Sequence, residues 1–279
     1  MRTVFDLPLW VKRLSETSPQ SPPPASEEPD WLKTAAPQVS IILLAGDNAS
    51  ELQRTILSLE AGLSDELDYE LLVVQSSRIH LRFKSSLPVR EIDASGPVQH
   101  PRQVGLEAAL GKYVLTADAG TLYPPNWGTE FLSVMQDEPE VTCVYGAHSF
   151  IPRSGLSRFF LGCYRFLTLP FQNWRSVSRE CSLVFGFNMA FRRMDALRVG
   201  GYPANRDLDR KRKRESEDGR LALRLSRFGL LRHVDSESSR VWISSRRLYS
   251  EGGFIRRILR KIGRELGWLN SGQRSIVVD

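Results

Sequence analysis

Three short runs, VSIILLA from Val39, YELLVVQ from Tyr69 and YVLTAD from Tyr113, are nearly unbroken in their apolar and β-branched content. A strand without polar alternation must be covered on both faces, and that is the situation of parallel strands in a sheet flanked by helices. The segments between them are helical in pattern. Ser50, with Gln53 three residues on, reads as a capping box; Leu52, Ile56 and Leu59 mark one face and Gly62 a stop. HPRQVGLEAALG has proline near its start and Gly111 just past its end. After the Pro124-Pro125 turn, NWGTEFLSVMQ continues as a helix and VTCVYGAH as a strand. No internal repeat is present. Strands alternating with helices predict a doubly wound α/β fold, whose ligands lie beyond the carboxyl ends of the strands. Asp47-Asn48, Gln75-Ser76 and Asp118 follow such ends and are expected to converge on one crevice.

The fold is expected in one domain, residues 38–248. Residues 1–37 hold seven of the sixteen prolines and read as a disordered tail with one short sticky segment, LPLWVKRL. Residues 249–279 read as a basic amphipathic helix and tail. Phe254, Ile255, Ile258, Leu259, Ile262 and Leu266 share one side, with Arg256, Arg257, Arg260, Lys261 and Arg264 around it and Trp268 at the end. That composition suits an anionic membrane surface, and equally a packed helix with a basic outer face.

The formal net charge of +6 calls for an anionic partner: nucleotide phosphates, phospholipid headgroups or nucleic acid. RKRKR, Arg210–Arg214, is accompanied by neither interleaved aromatics nor a nucleic-acid fold, which argues against the last of these. Cys143, Cys163 and Cys181 lack metal-ligand spacing and read as buried thiols in a reducing compartment. With no apolar run long enough to span a bilayer and no signal-peptide pattern, the expected location is cytoplasmic, peripheral on the inner membrane face if the basic helix docks there.

Two short stretches carry candidate chemistry. In TADAGTLYPPNW a lone carboxylate, Asp118, ends a buried strand, where it suits a cation or a ribose and equally a cap on the Pro-Pro turn. In SED, Ser216 caps a helix with Leu221, Leu225 and Phe228 on its apolar face, and acids in a first turn favour the dipole. The same Glu217-Asp218 pair can do acid-base work. His80, His100, His148 and His233 show no ligand spacing and read as structural or surface residues.

Together VSIILLAGDNASELQRTILSL, YELLVVQSS, PRQVGLEAALGKYVLTADAGTLYPPNW, GFNMAFRRMDALRVGGY and ESEDGRLALRLSRFG resemble, in order and interval, the family 2 glycosyltransferases of GT-A fold, from about Val39 to Val234. The resemblance implies a mixed, doubly wound sheet and inverting transfer of a sugar from a nucleoside-diphosphate donor to an acceptor hydroxyl, on a lipid-linked or polysaccharide precursor. It implies donor contacts from Ala45, Gly46, Asn48, Gln75, Arg102, Asp118 and Gly120. Asp218 becomes the catalytic base, Glu217 its neighbour shaping the site, and Asn188 an acceptor-side residue. Arg212 and Lys213 fall in a loop near the diphosphate.

The sequence departs from that pattern. Asp118 matches the first acid of an Asp-x-Asp element but Gly120 stands at the second, and Asn48 and Gln75 replace acids. The implied divalent cation, magnesium or manganese, would keep only Asp118, or give way to positive side chains on the diphosphate. The same losses fit a catalytically degenerate nucleotide-sugar-binding or scaffolding module.

Overall fold

The computed structural model describes residues 7–16, 37–63, 68–76, 80–95, 100–152, 184–202 and 216–244. The three apolar runs become neighbouring parallel strands. β1 (Val39–Leu44) lies between β2 (Tyr69–Gln75) and β4 (Tyr113–Asp118), so that Leu44 stands opposite both Val74 and Asp118. β3 (Val89–Asp93) adds parallel to the outer side of β2. Beyond β4, β8 (Met189–Arg192) runs antiparallel between β4 and β6 (Val141–Gly146), and β9 (Leu230–Val234) is parallel to β6. The order is β3-β2-β1-β4-β8-β6-β9, the mixed sheet that the resemblance implies. A second, small sheet joins β5 (Thr121–Leu122), β10 (Val241–Ser244) and β7 (His148–Ile151).

The period-two geometry of a strand divides each apolar run between two cores. Ile41, Leu43, Leu71, Val73 and Leu115 face α2 (Ala49–Gly62) and α4 (Trp127–Asp137). Ile42, Leu72, Val74 and Val114 face α3 (Pro101–Ala108), α5 (Arg193–Arg198) and α6 (Glu217–Leu225). Glu70 sits fully buried among these layers. Its carboxylate accepts from the Ser40 hydroxyl (2.6 Å), the Leu110 N–H (2.7 Å) and Arg90 Nη1 (2.7 Å), which satisfies a charge that would otherwise be costly.

Several local expectations change. α2 is capped by Asn48, whose Oδ1 accepts from the Glu51 N–H at 2.9 Å, two residues before the Ser50 of the Ser50–Gln53 box read from the sequence. α3 ends at Ala108; Gly111 is required because a Cβ there would lie 2.5 Å from Ser40 N on β1. Phe228 is 72% exposed, since α6 ends at Leu225 and the chain turns away from the core face. Within the proline-rich N-terminal segment, α1 (Leu9–Glu16) is helical and packs against α2 with Val11 buried. The basic segment 249–279 and the aromatic-rich stretch 158–174 lie outside the described residues. Among the described residues no helix is long and apolar enough to cross a membrane.

Candidate active site

The site forms where β4 ends. α3 approaches the sheet closely because Gly105 carries no Cβ; one would come within 2.6 Å of Ile42 Cγ2 and 3.1 Å of Val74 Cγ2. That approach brings the first helical turn, begun by Pro101, over the tips of β1 and β4. Arg102 is 7% exposed, and its Nη2 donates to Asp118 Oδ1 at 2.6 Å. On its other side Nη1 lies 3.2 Å from Asp218 Oδ1, an ion pair without good hydrogen-bond alignment. The Ser216 hydroxyl fixes Asp218 in its turn by accepting from the Gly219 N–H at 3.0 Å. Asp118 and Asp218, a hundred residues apart in the chain, thus share one buried guanidinium. Arg102, on the first turn of α3, joins the end of β4 to the start of α6.

Electrostatics follow from burial and pairing. Burial works against the charge on Arg102, but Asp118 and then Asp218 outweigh it and hold the guanidinium above its ordinary pKa. Asp218 moves up: burial dominates, Arg102 and a backbone hydrogen bond from Gly186 oppose it, and the Asp118 and Glu217 charges add to it. Asp118 is anchored through its backbone. Its N–H donates to the Tyr123 hydroxyl at 3.1 Å, which in turn donates to the Phe187 carbonyl at 2.8 Å. Burial, and after it the Asp118 charge, pushes the Tyr123 phenol up, so this hydroxyl stays protonated.

Sequence reasoning missed three members of the site. His100, at the N-cap of α3, bonds through Nε2 to Glu217 Oε2 and stacks on Tyr202 with ring centroids 5.3 Å apart. That hydrogen bond is the leading cause of a lowered Glu217 pKa. The pair runs beside the Arg102–Asp218 pair and ties the start of α3 to the start of α6. Tyr202 is buried, and burial followed by the Asp218 charge raises its phenol. Gly186 lies directly on the pair, a Cβ there falling 2.3 Å from Asp218 Oδ1 and 2.6 Å from Arg102 Cζ. The available signals were the proximity of His100 to Arg102 across a helix-starting proline, and the glycine in VFGFN.

The other expected residues are placed as follows. Ala45 is buried and donates to Val74 O at 3.0 Å; Gly46 follows at φ 69, a conformation that favours glycine. Asn48 uses its side chain as the α2 cap. Gln75 is turned inward: Nε2 donates to Leu81 O (3.2 Å) and Glu91 Oε2 (2.9 Å), and Oε1 accepts from Leu81 N–H (2.6 Å). Asn188 is 1% exposed, accepting from Trp127 Nε1 (2.8 Å) and donating to Ala147 O (2.8 Å) and Ser239 O (3.0 Å). Arg212 and Lys213 lie outside the described residues.

The donor set for a divalent cation is thin. Such ions need several oxygen ligands, and Asp118 Oδ1 already faces a guanidinium. Gly120, at φ +89, offers no side chain. The carboxylate of Glu51 occupies that space, Oε2 lying 3.1 Å from where a Cβ at 120 would be and Oε1 accepting from Ser244 Oγ at 2.8 Å. Among the described residues no group of three or more His, Cys, Asp or Glu is arranged to hold a metal. These residues do not reproduce an Asp-x-Asp metal site.

No protein-family model matches the chain, and no curated protein matches its sequence. Solved structures do match. The mannosyltransferase PcManGT from Pyrobaculum calidifontis, in complex with GDP-mannose and Mn2+, aligns at TM-score 0.53 and 18% identity, covering 89% of this chain and 66% of that one. The fold is GT-A-like. S. aureus TarS 1–349 in complex with UDP-GlcNAc aligns at TM-score 0.49 and 13% identity, over 75% of this chain and 59% of that chain. The chain therefore spans just under two thirds of the length of the mannosyltransferase.

Proposed function

We propose that the protein is an inverting glycosyltransferase acting on a nucleoside-diphosphate sugar. The observation that carries this reading is Arg102 holding Asp118 and Asp218 together at the carboxyl end of the central strands, where open α/β sheets take their ligands. The mannosyltransferase that shares the fold holds a nucleotide sugar of this class.

In this reading the donor lies over the ends of β1 and β4, its ribose near Asp118. An acceptor hydroxyl is a weak nucleophile, and Asp218 takes its proton as the oxygen attacks the anomeric carbon. The bond from that carbon to the diphosphate oxygen breaks on the opposite side, the electron pair leaves with the nucleoside diphosphate, and configuration inverts. Burial raises the proton affinity of Asp218, which suits a base, and the Arg102 charge opposes that rise. Glu217, held by His100, fixes the start of α6 and with it the position of Asp218. A hexosyl group, a lipid-linked or polysaccharide acceptor and docking of the basic segment 249–279 on an anionic membrane complete the proposal, with Arg212 and Lys213 near the diphosphate.

One set of observations favours a second reading. Asn48, Gln75 and Gly120, at positions where the resemblance implies acids, are respectively a helix cap, a buried link to Leu81 and Glu91, and a glycine facing Glu51. A nucleotide-sugar-binding module without turnover would look the same there. Calorimetry with a panel of nucleoside-diphosphate sugars, followed by donor turnover in the wild type and Asp218→Asn, separates the two. Turnover that needs Asp218 supports the transferase; binding without turnover supports the module.

A further inference from the structure

We infer that Arg102 neutralises the donor diphosphate in place of a divalent cation, so that sugar transfer by this chain is metal-independent. The inference rests on the glycosyltransferase reading and concerns how the leaving group is handled. Three observations lead to it. The second acid of the Asp-x-Asp element is a glycine, and the volume its side chain would use is held by a Glu51 carboxylate bonded to the Ser244 hydroxyl. The remaining acid, Asp118, is in contact with a guanidinium at 2.6 Å, which would repel a cation placed on the same oxygen. And Arg102, although buried, leaves its Nε without a hydrogen-bond partner among the described residues. A buried charged donor carrying an unused N–H at the tip of β4 is matched to an oxyanion.

When the anomeric bond breaks, charge appears on the departing diphosphate oxygen. A fixed guanidinium meets that charge without reorganisation, through the Nε–H that neither carboxylate uses. Asp118 and Asp218 hold the fork in place from either side. Binding of the diphosphate draws Arg102 charge away from Asp218, and the base becomes more basic when substrate is present.

The test uses the full chain and the diphosphates and parent nucleosides of uridine, guanosine, adenosine and cytidine. Calorimetry and donor turnover are measured in excess chelator and again with Mn2+. Expected are diphosphate binding and turnover that change by less than about twofold between the two conditions. Arg102→Gln should weaken diphosphate binding by about tenfold or more, the worth of a charge-assisted hydrogen bond, and by clearly more than it weakens binding of the parent nucleoside. Arg102→Lys should recover part of it. Turnover abolished by chelator, or a Mn2+ resonance signal in the diphosphate complex that Glu51→Gln or Asp118→Asn removes, overturns the inference and leaves the transferase reading standing. If Arg102→Gln does not fold, the chelator arm on the wild type decides alone. If no nucleoside diphosphate binds under either condition, the functional reading falls and the inference with it.

Discussion

Gly186→Ala is the sharpest single perturbation of this site. Gly186 does not lie at positive φ, so the backbone accepts alanine without strain and the unfolded chain loses entropy, an effect of about 0.4–1 kcal/mol in favour of the variant. The new methyl would lie 2.3 Å from Asp218 Oδ1 and 2.6 Å from Arg102 Cζ, where real Cβ contacts begin near 3.0 Å. Asp218 must therefore move by about 0.7 Å or more, and it moves away from Arg102 and from the Gly186 N–H. Both clashing groups are side-chain ends, so the fold can yield, at a cost of about 1–3 kcal/mol at most for overpacking. The net change in Tm should stay within roughly 5 °C at the scaling for chains of this size. Activity should suffer far more, because a displacement near 1 Å in a catalytic constellation costs about a hundredfold. Steady-state donor turnover together with thermal melting measures both. A variant with wild-type turnover refutes the placement of Asp218, and one that fails to fold refutes the claim that only the charged pair is disturbed.

Asp218→Asn should lower turnover by about 10²–10⁴-fold, the usual worth of a general base, while leaving the fold intact. Because burial raises the folded pKa of Asp218, its ionised form costs stability; the wild type should lose stability relative to this variant as pH rises through the raised value, and the gap should vanish below the ordinary carboxylate range, read by urea unfolding across pH. Glu217→Gln behaves oppositely: the Glu217 pKa is lowered chiefly by His100, so the stability it adds is complete above 4.5 and fades as pH falls through the folded value, with a size below about 1 kcal/mol for a carboxylate that is a third exposed. Asn188→Ala strands the Trp127 indole N–H and two carbonyls and should cost about 2–5 kcal/mol in urea unfolding; a loss under about 1 kcal/mol would return Asn188 to the acceptor side.

The sequence made the central strands and their parallel order legible because the apolar runs are long and the glycines and prolines that bound them are strong local signals. β3, β5, β7 and β10 were not readable. VREID and HSFI are half-exposed strands of four or five residues, and TL has only two, so none carries a periodicity that separates it from loop. At the site, Asp118 and Asp218 stood out because they follow and precede recognisable elements. His100, Tyr202 and Gly186 did not, since their roles come from the contact between the starts of α3 and α6, on which they converge from separate parts of the chain. The inward turn of Gln75 was hidden for a similar reason, its partners Leu81 and Glu91 being fixed by where the chain returns to form β3.

Those placements bear on which functional reading is stronger. Asn48, Gln75 and Asn188 spend their side chains on the protein itself, so their lack of charge says little about whether the site turns over. Asp218 is different. It is largely buried, its charge is disfavoured there, and its Oδ1 makes only an ion pair with poor alignment to Arg102. For holding the helix start alone, Ser216 already supplies the cap, and an uncharged residue of similar size would serve the fold better. A carboxylate with raised proton affinity, set at the ligand-facing edge beside a guanidinium that also holds Asp118, is costly as architecture and useful as a base. That imbalance is what makes turnover, rather than binding alone, the expected outcome of the donor assay.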